Sequence, residues 1–227
     1  MMKIAENLYA FIWRNYQANN CNTFLIQGSK TILIDPGHAH LFDYVRSGLL
    51  DLNLTPEQIN LILITHAHPD HLEASLLFKK PTLLTMSRAE FEFAESWLQG
   101  FEQEEGVGLE PDFFLQDGTL TVGDLDFQVI TTPGHSPGSI CLYWPEHKAL
   151  FTGDLIFNQG IGRVDLPGGN GALLKASIQQ IAGLDIELLL SGHGEVVKGK
   201  KAVEANFRMI EGLWFDYLDD SSPNPYS

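Results

Sequence analysis

The chain has 227 residues, with 29 acidic and 14 basic side chains and a formal net charge of −15. Apolar residues make up 44% and charged residues 19%, the balance of a globular chain able to bury a sizeable core, not of a disordered one. The acid excess argues against nucleic acid or an anionic membrane surface as partner, because both need a positive footprint.

Cys21 and Cys141 are the two cysteines. They make neither a disulfide framework nor a Cys-x-x-Cys pair and read as small buried hydrophobes. The opening MMKIAENLYAF lacks the apolar stretch of a signal peptide, and no segment approaches the roughly 18 apolar residues of a membrane span. The expected compartment is the cytoplasm.

Residues 8–12, 23–26 and 31–34 read as strands, the last two joined by a hairpin turn at Gly28-Ser29, and Asp35-Pro36-Gly37 stops the third. Residues 41–50 have helical spacing. Thr55-Pro56-Glu57-Gln58 has the form of a helix start with a capping box. The apolar run 61–64 is a buried strand, and the cluster Thr65-His66-Ala67-His68-Pro69-Asp70-His71 follows it directly. Next come a helical stretch at 72–78, a strand at 82–86, and a helix at 87–98 capped by Ser87 with Glu90 three residues on. Residues 100–111 read as a loop. Strands return at 119–122, 125–131, 139–144 and 149–152, followed by a Gly-rich stretch at 156–171. A helix at 172–182, a strand at 187–190 and a long helix at 201–218 complete the pattern. The whole reads as a single domain over 1–218 with a polar tail at 219–227.

Residues two apart in an extended segment point the same way, so His66 and His68 can reach one ion from the end of the 61–64 strand. The chain then turns at Pro69, and the adjacent Asp70 and His71 can point toward a second ion. Neutral imidazole and carboxylate are ligands that Zn²⁺, Fe and Mn²⁺ accept. Three more candidates sit in Gly-flanked turns after strands: His135 in TPGH, Asp154 in TGD and His193 in SGHG. Glycine at such turns lets the backbone approach an ion closely.

These motifs, in this order, resemble the metallo-β-lactamase-fold superfamily over nearly the whole chain. The resemblance implies an α/β fold: a four-layer αββα sandwich with two mixed sheets and helices on the outer faces. It implies that His66, His68 and His135 hold one metal, that Asp70, His71 and His193 hold a second, and that Asp154 bridges them. Two divalent ions are expected, Zn²⁺ foremost, with Fe or Mn as alternatives. A hydroxide on the metals would be the nucleophile, and Asp70 would orient it and shuttle its proton. Asp35 and Thr65 are candidates for orienting the ligands.

The segment Gly162-Arg163-Val164-Asp165-Leu166-Pro167-Gly168-Gly169 is similar to the GRxDxPxG segment of the glyoxalase II-like branch, which includes thioester hydrolases and persulfide dioxygenases. Arg163 would pair with a substrate carboxylate; the alternative is an internal Arg163–Asp165 pair that orders the loop. Two features depart from the family pattern. Leu72-Glu73-Ala74 replaces the small residues usual after Asp-His, and one helix follows Gly194 where glyoxalase II carries a helical domain that grips glutathione. The expected activity is hydrolysis of a small-molecule thioester, ester or lactone. The alternatives are a mono-iron persulfide dioxygenase using His66, His135 and Asp154, and a non-catalytic metal-binding module.

His147 reads as a surface residue in a turn, and the His38-x-His40 pair as capping, packing or pocket-lining groups. Phe101, Phe113, Phe114 and Phe157 are aromatics near the expected pocket, each more simply read as core. Trp214, Phe215 and Tyr217 would cover a partner surface in a homodimer.

Overall fold

A computed structural model describes residues 1–15, 17–98 and 109–220. The chain divides into two compact units: Met1–Leu115 with Thr121–Leu125, and Gln116–Leu120 with the chain from Asp126 onward.

In the first unit the strands β1 (Met2–Ala5), β2 (Leu8–Phe11), β3 (Thr23–Gln27), β4 (Thr31–Ile34), β5 (Leu61–Leu63), β6 (Leu83–Ser87) and β7 (Phe113–Leu115) lie side by side in sequence order. The pairs from β1 to β4 are antiparallel, and those from β4 to β7 are parallel. The change has a local cause. Antiparallel neighbours need only a tight turn, as at Gly28-Ser29, whereas parallel neighbours need a crossover. The crossovers contain helix α1 (Asp43–Asp51), helix α2 (Pro69–Leu72) with a 3₁₀ turn over Glu73–Leu77, and helix α3 (Arg88–Leu98). Val45 and Leu49 of α1 and Ala94 of α3 pack with Phe11, Leu25, Leu33, Ile62 and Met86 into one core.

The two capping signals of this unit end differently. Ser87 caps α3, its Oγ accepting from the Glu90 amide at 3.1 Å. The capping box at Thr55 and Gln58 also forms, but it closes only a 3₁₀ turn over Pro56–Gln58. Ile59 beyond it is already extended and feeds β5, so tertiary pairing overrides the helix signal.

The second large sheet contains β8 (Gly118–Val122), β9 (Leu125–Thr131), β10 (Ile140–Trp144) and β11 (Ala149–Gly153), all of the second unit except Thr121–Leu125 where β8 turns into β9. A small ribbon of β12 (Ile156–Phe157) and β13 (Gly160–Ile161) follows, then β14 (Leu188–Ser191) and β15 (Val197–Lys198). The large sheet has the order β15-β14-β11-β10-β9-β8. β9 and β10, and β10 and β11, are antiparallel, and β11 and β14 are parallel. β9, β11 and β14 therefore run the same way and end at one edge of the sheet. Helix α4 (Gly171–Ile181) is the crossover between β11 and β14, and helix α5 (Lys200–Asp220) closes the unit. Ile178 and Ile181 of α4 and Val203, Ile210 and Leu218 of α5 pack on Cys141, Leu150 and Leu189 of the sheet. β10 is buried at every position.

Some expectations hold and others change. Phe113 and Phe114 belong to β7, and the Phe114 ring packs 5.5 Å from that of Phe91, which makes it part of the fabric of the first unit. Phe215 is buried with α4 and α5 and Trp214 packs against the same cluster, so only Tyr217 of that trio is exposed. The last helix runs on to Asp220, two residues into the expected polar tail. Phe101, most of the 100–111 loop and the remainder of the tail lie outside the described residues. Among the described residues, no helix is long and apolar enough to cross a membrane.

Candidate metal centre

In the first unit, β4, β5 and β6 end at one edge of the sheet, and the chemistry-bearing residues leave from there. Asp35 follows β4 with a left-handed backbone, φ 50°, a conformation a non-glycine residue holds only when its surroundings impose it. The Asp35 carboxylate accepts from the Thr65 amide at 2.8 Å, the Thr65 hydroxyl at 2.6 Å and His71 Nδ1 at 2.9 Å. Asp35, His66 and His71 are 2%, 0% and 0% exposed, which makes each of these bonds costly to lose.

The hydrogen bonds decide the protonation of three imidazoles. A carboxylate only accepts, so His71 donates from Nδ1 and presents Nε2 as its acceptor nitrogen. The Thr65 hydroxyl gives its proton to Asp35, so at 3.1 Å its oxygen accepts from His66 Nδ1, and His66 too presents Nε2. In the second unit the backbone carbonyl of Arg163 accepts from His135 Nδ1 at 2.8 Å, with the same result. An imidazole held by its Nδ1–H and offering Nε2 is the form in which histidine binds metals.

The cluster in the first unit is tight. The His66 ring lies 4.0 Å from that of His71 and 4.9 Å from that of His68, centroid to centroid. Asp70 Oδ2 lies 3.9 Å from His71 Nε2 and accepts from Asn19 Nδ2 at 2.9 Å. Two residues not singled out from the sequence support the loop: Asn19, which aims Asp70, and Glu90. Fully buried on α3, Glu90 accepts from the Ala67 amide between His66 and His68 at 2.7 Å.

The second unit brings its three candidates together from the ends of β9, β11 and β14. Asp154 Oδ2 lies 3.6 Å from His135 Nε2 and 3.3 Å from His193 Nε2. The register pairs Gly153 with Ser191, and the Gly192 amide donates to the Gly153 carbonyl at 2.8 Å, tying the TGD and SGHG turns together. Gly134 has φ +135°, and a Cβ there would sit 2.1 Å from the Leu174 amide nitrogen, so the His135 turn can rest on α4 only with glycine. Gly162 is equally constrained, since a Cβ would lie 1.8 Å from the Asp154 carbonyl oxygen. Phe157 packs edge-on against the His193 ring, centroids 5.8 Å apart.

The donor set fits a cation. The acceptor nitrogen of His135 faces an acceptor carboxylate at 3.6 Å, an arrangement that positive charge between them turns from repulsive to favourable. Arg163 contributes its carbonyl to this arrangement, while its guanidinium pairs bidentately with Asp165 at 2.9 and 2.8 Å in an exposed position. His147 packs against Trp144 with centroids 4.0 Å apart and the rings tilted by 54°, a structural role.

The family model described as the metallo-beta-lactamase superfamily matches residues 16–193. The chain belongs to that superfamily and has its layered α/β fold. It is 33% identical, over 183 residues, to a "Probable metallo-hydrolase YqgX" of Bacillus subtilis, covering 75% of this chain and 83% of that one. It is also 33% identical, over 187 residues, to the "Hydroxyacylglutathione hydrolase GloC" of Haemophilus influenzae, covering 77% and 85%. A solved structure of TTHA1623 "in a di-iron-bound form" is similar with a TM-score of 0.64 and 30% identity, covering 78% of this chain and 89% of that one. These likenesses place the chain in the glyoxalase II-like branch of that superfamily.

Proposed function

We propose that this chain is a hydrolase of small thioesters, esters or lactones that works with two metal ions, Zn²⁺ foremost. His66, His68 and His135 would hold the first, Asp70, His71 and His193 the second, and Asp154 would bridge them. The observation that carries the reading is Asp154 Oδ2 within 3.6 Å of His135 Nε2 and 3.3 Å of His193 Nε2, the posture of a carboxylate shared between ligand sets. The likeness to hydroxyacylglutathione hydrolase supports the acyl-transfer chemistry.

Two divalent cations, when bound, would supply a bound water of lowered pKa and a Lewis acid for a carbonyl oxygen. The side chains do the rest. Asp70, aimed by Asn19, takes the proton of the attacking water and passes it to the leaving thiol or alcohol. Asp35 holds the His71 tautomer while charge develops. Arg163 would exchange its Asp165 partner for a substrate carboxylate. The acid excess favours a small-molecule substrate over a nucleic acid.

The test is a panel of thioesters, lactones and persulfides assayed on protein whose metal content has been measured. Hydrolysis with two ions per chain is expected. One iron per chain with O₂ uptake on glutathione persulfide would replace the reading with a dioxygenase. Full metal loading with no turnover, and no effect of Asp70→Asn on any substrate, would leave only a binding module.

A further inference from the structure

We propose that His38, His40 and Glu73 form a third cation site, apart from the seven residues above, that takes one borderline divalent ion such as Zn²⁺. The three side chains offer two imidazole nitrogens and one carboxylate oxygen, all within 4.8 Å of one another. Two histidines and a glutamate are a donor set that Zn²⁺ accepts, with water completing the tetrahedron.

The site is largely built. His38 Nδ1 lies 2.8 Å from Glu73 Oε2, and the His38 and His40 ring centroids are 5.1 Å apart. The backbone fixes both segments: the His38 amide donates to Asn20 Oδ1 at 2.8 Å, and the Ala74 amide donates to the Gly37 carbonyl at 2.8 Å. His40 stands exposed in the middle of a 3₁₀ turn over Ala39–Leu41, and His38 and Glu73 need to part by only about 0.5 Å to share a tetrahedral zinc. The side chains of His38 and Glu73 are 18% and 40% exposed, so an ion can enter from solvent. It would take the place of the hydrogen between His38 Nδ1 and Glu73 Oε2, with the imidazole proton moving to Nε2. The ion would then clamp the loop that follows Asp35 to the turn that carries His71. Those segments already share a bond from the Gly37 amide to the His71 carbonyl at 3.3 Å.

The proposal is independent of the dinuclear reading, because its test is a difference between variants. The full chain is stripped with a chelator, titrated with Zn²⁺ alone by calorimetry, dialysed against micromolar zinc and analysed for metal. Wild type is expected to retain one ion more per chain than His40→Ala or Glu73→Gln, whatever the total, and to gain more in melting temperature on zinc addition. His40 is exposed, so His40→Ala is expected to fold with an unchanged circular dichroism spectrum and decides the matter if Glu73→Gln does not fold. Equal ion counts in wild type and His40→Ala, or a wild-type surplus that washes away in dialysis, would reduce the trio to a surface ion pair.

Discussion

Asp35 and His71 are joined by a 2.9 Å hydrogen bond between two side chains that are almost wholly out of solvent. The same carboxylate accepts twice from Thr65, and through the Thr65 hydroxyl it also sets His66. One residue held in a left-handed conformation thus fixes two imidazoles.

Asp35→Asn keeps the shape and removes the charge. The amide cannot accept from all three donors, so His71 loses its fixed tautomer. Metal affinity is expected to fall about 10- to 100-fold, and stability by roughly 1–3 kcal/mol. Metal titration and urea denaturation of the stripped protein measure the two effects separately.

Gly162→Ala tests the close approach of the GRxDxPxG segment to the second unit's ligands. The new methyl would lie 1.8 Å from the Asp154 carbonyl oxygen and 3.1 Å from His135 Nδ1. The backbone must shift, at a cost of about 1–3 kcal/mol or more. Loss of bound metal with a lowered melting temperature is expected, and unchanged metal content would show that the loop yields without moving Asp154.

Much of this site is legible in the sequence, and the rest is hidden for a physical reason. His66 to His71, His135, Asp154 and His193 each stand at a strand end beside turn residues, so a local pattern exposes them. Asp35 and Thr65 are flagged through the family resemblance. Asn19 and Glu90 are not, because their partners Asp70 and Ala67 lie 51 and 23 positions away and nothing local distinguishes a buried orienting Glu90 from an ordinary helix-cap residue. The strands β1, β7, β12, β13 and β15 are only two to four residues long. Pairing with a neighbour creates such strands, and no period can show in so few residues.

Arg163→Ala separates a substrate contact from a loop brace. An exposed pair with Asp165 is worth little to stability, about 0–1 kcal/mol. The melting temperature should therefore barely move. The KM for carboxylate-bearing thioesters is expected to rise while that for uncharged ones stays put. An equal change for both substrate kinds would assign Arg163 to the loop alone.

Burial pushes the Cys21 thiol up to about 11 and the Cys141 thiol up to about 12, from an ordinary 9.0. Neither should react with Ellman's reagent at pH 8 in the folded protein, and both should react in denaturant. The unfolded chain releases these protons first as pH rises, so their contribution is constant below about pH 9 and declines above it. Urea denaturation at pH 8 and pH 10 should show that decline.

We propose that His68 and His135 hold one and the same ion. Metal affinity of His68→Ala, His135→Ala and the double variant tests it most directly. Both singles are expected to weaken the same one of two binding events, and the double variant to weaken it by far less than the sum of the two losses while the other event persists. If each single variant removed a different ion, so that the double variant lost both, the two histidines would belong to separate sites and the shared centre would be wrong.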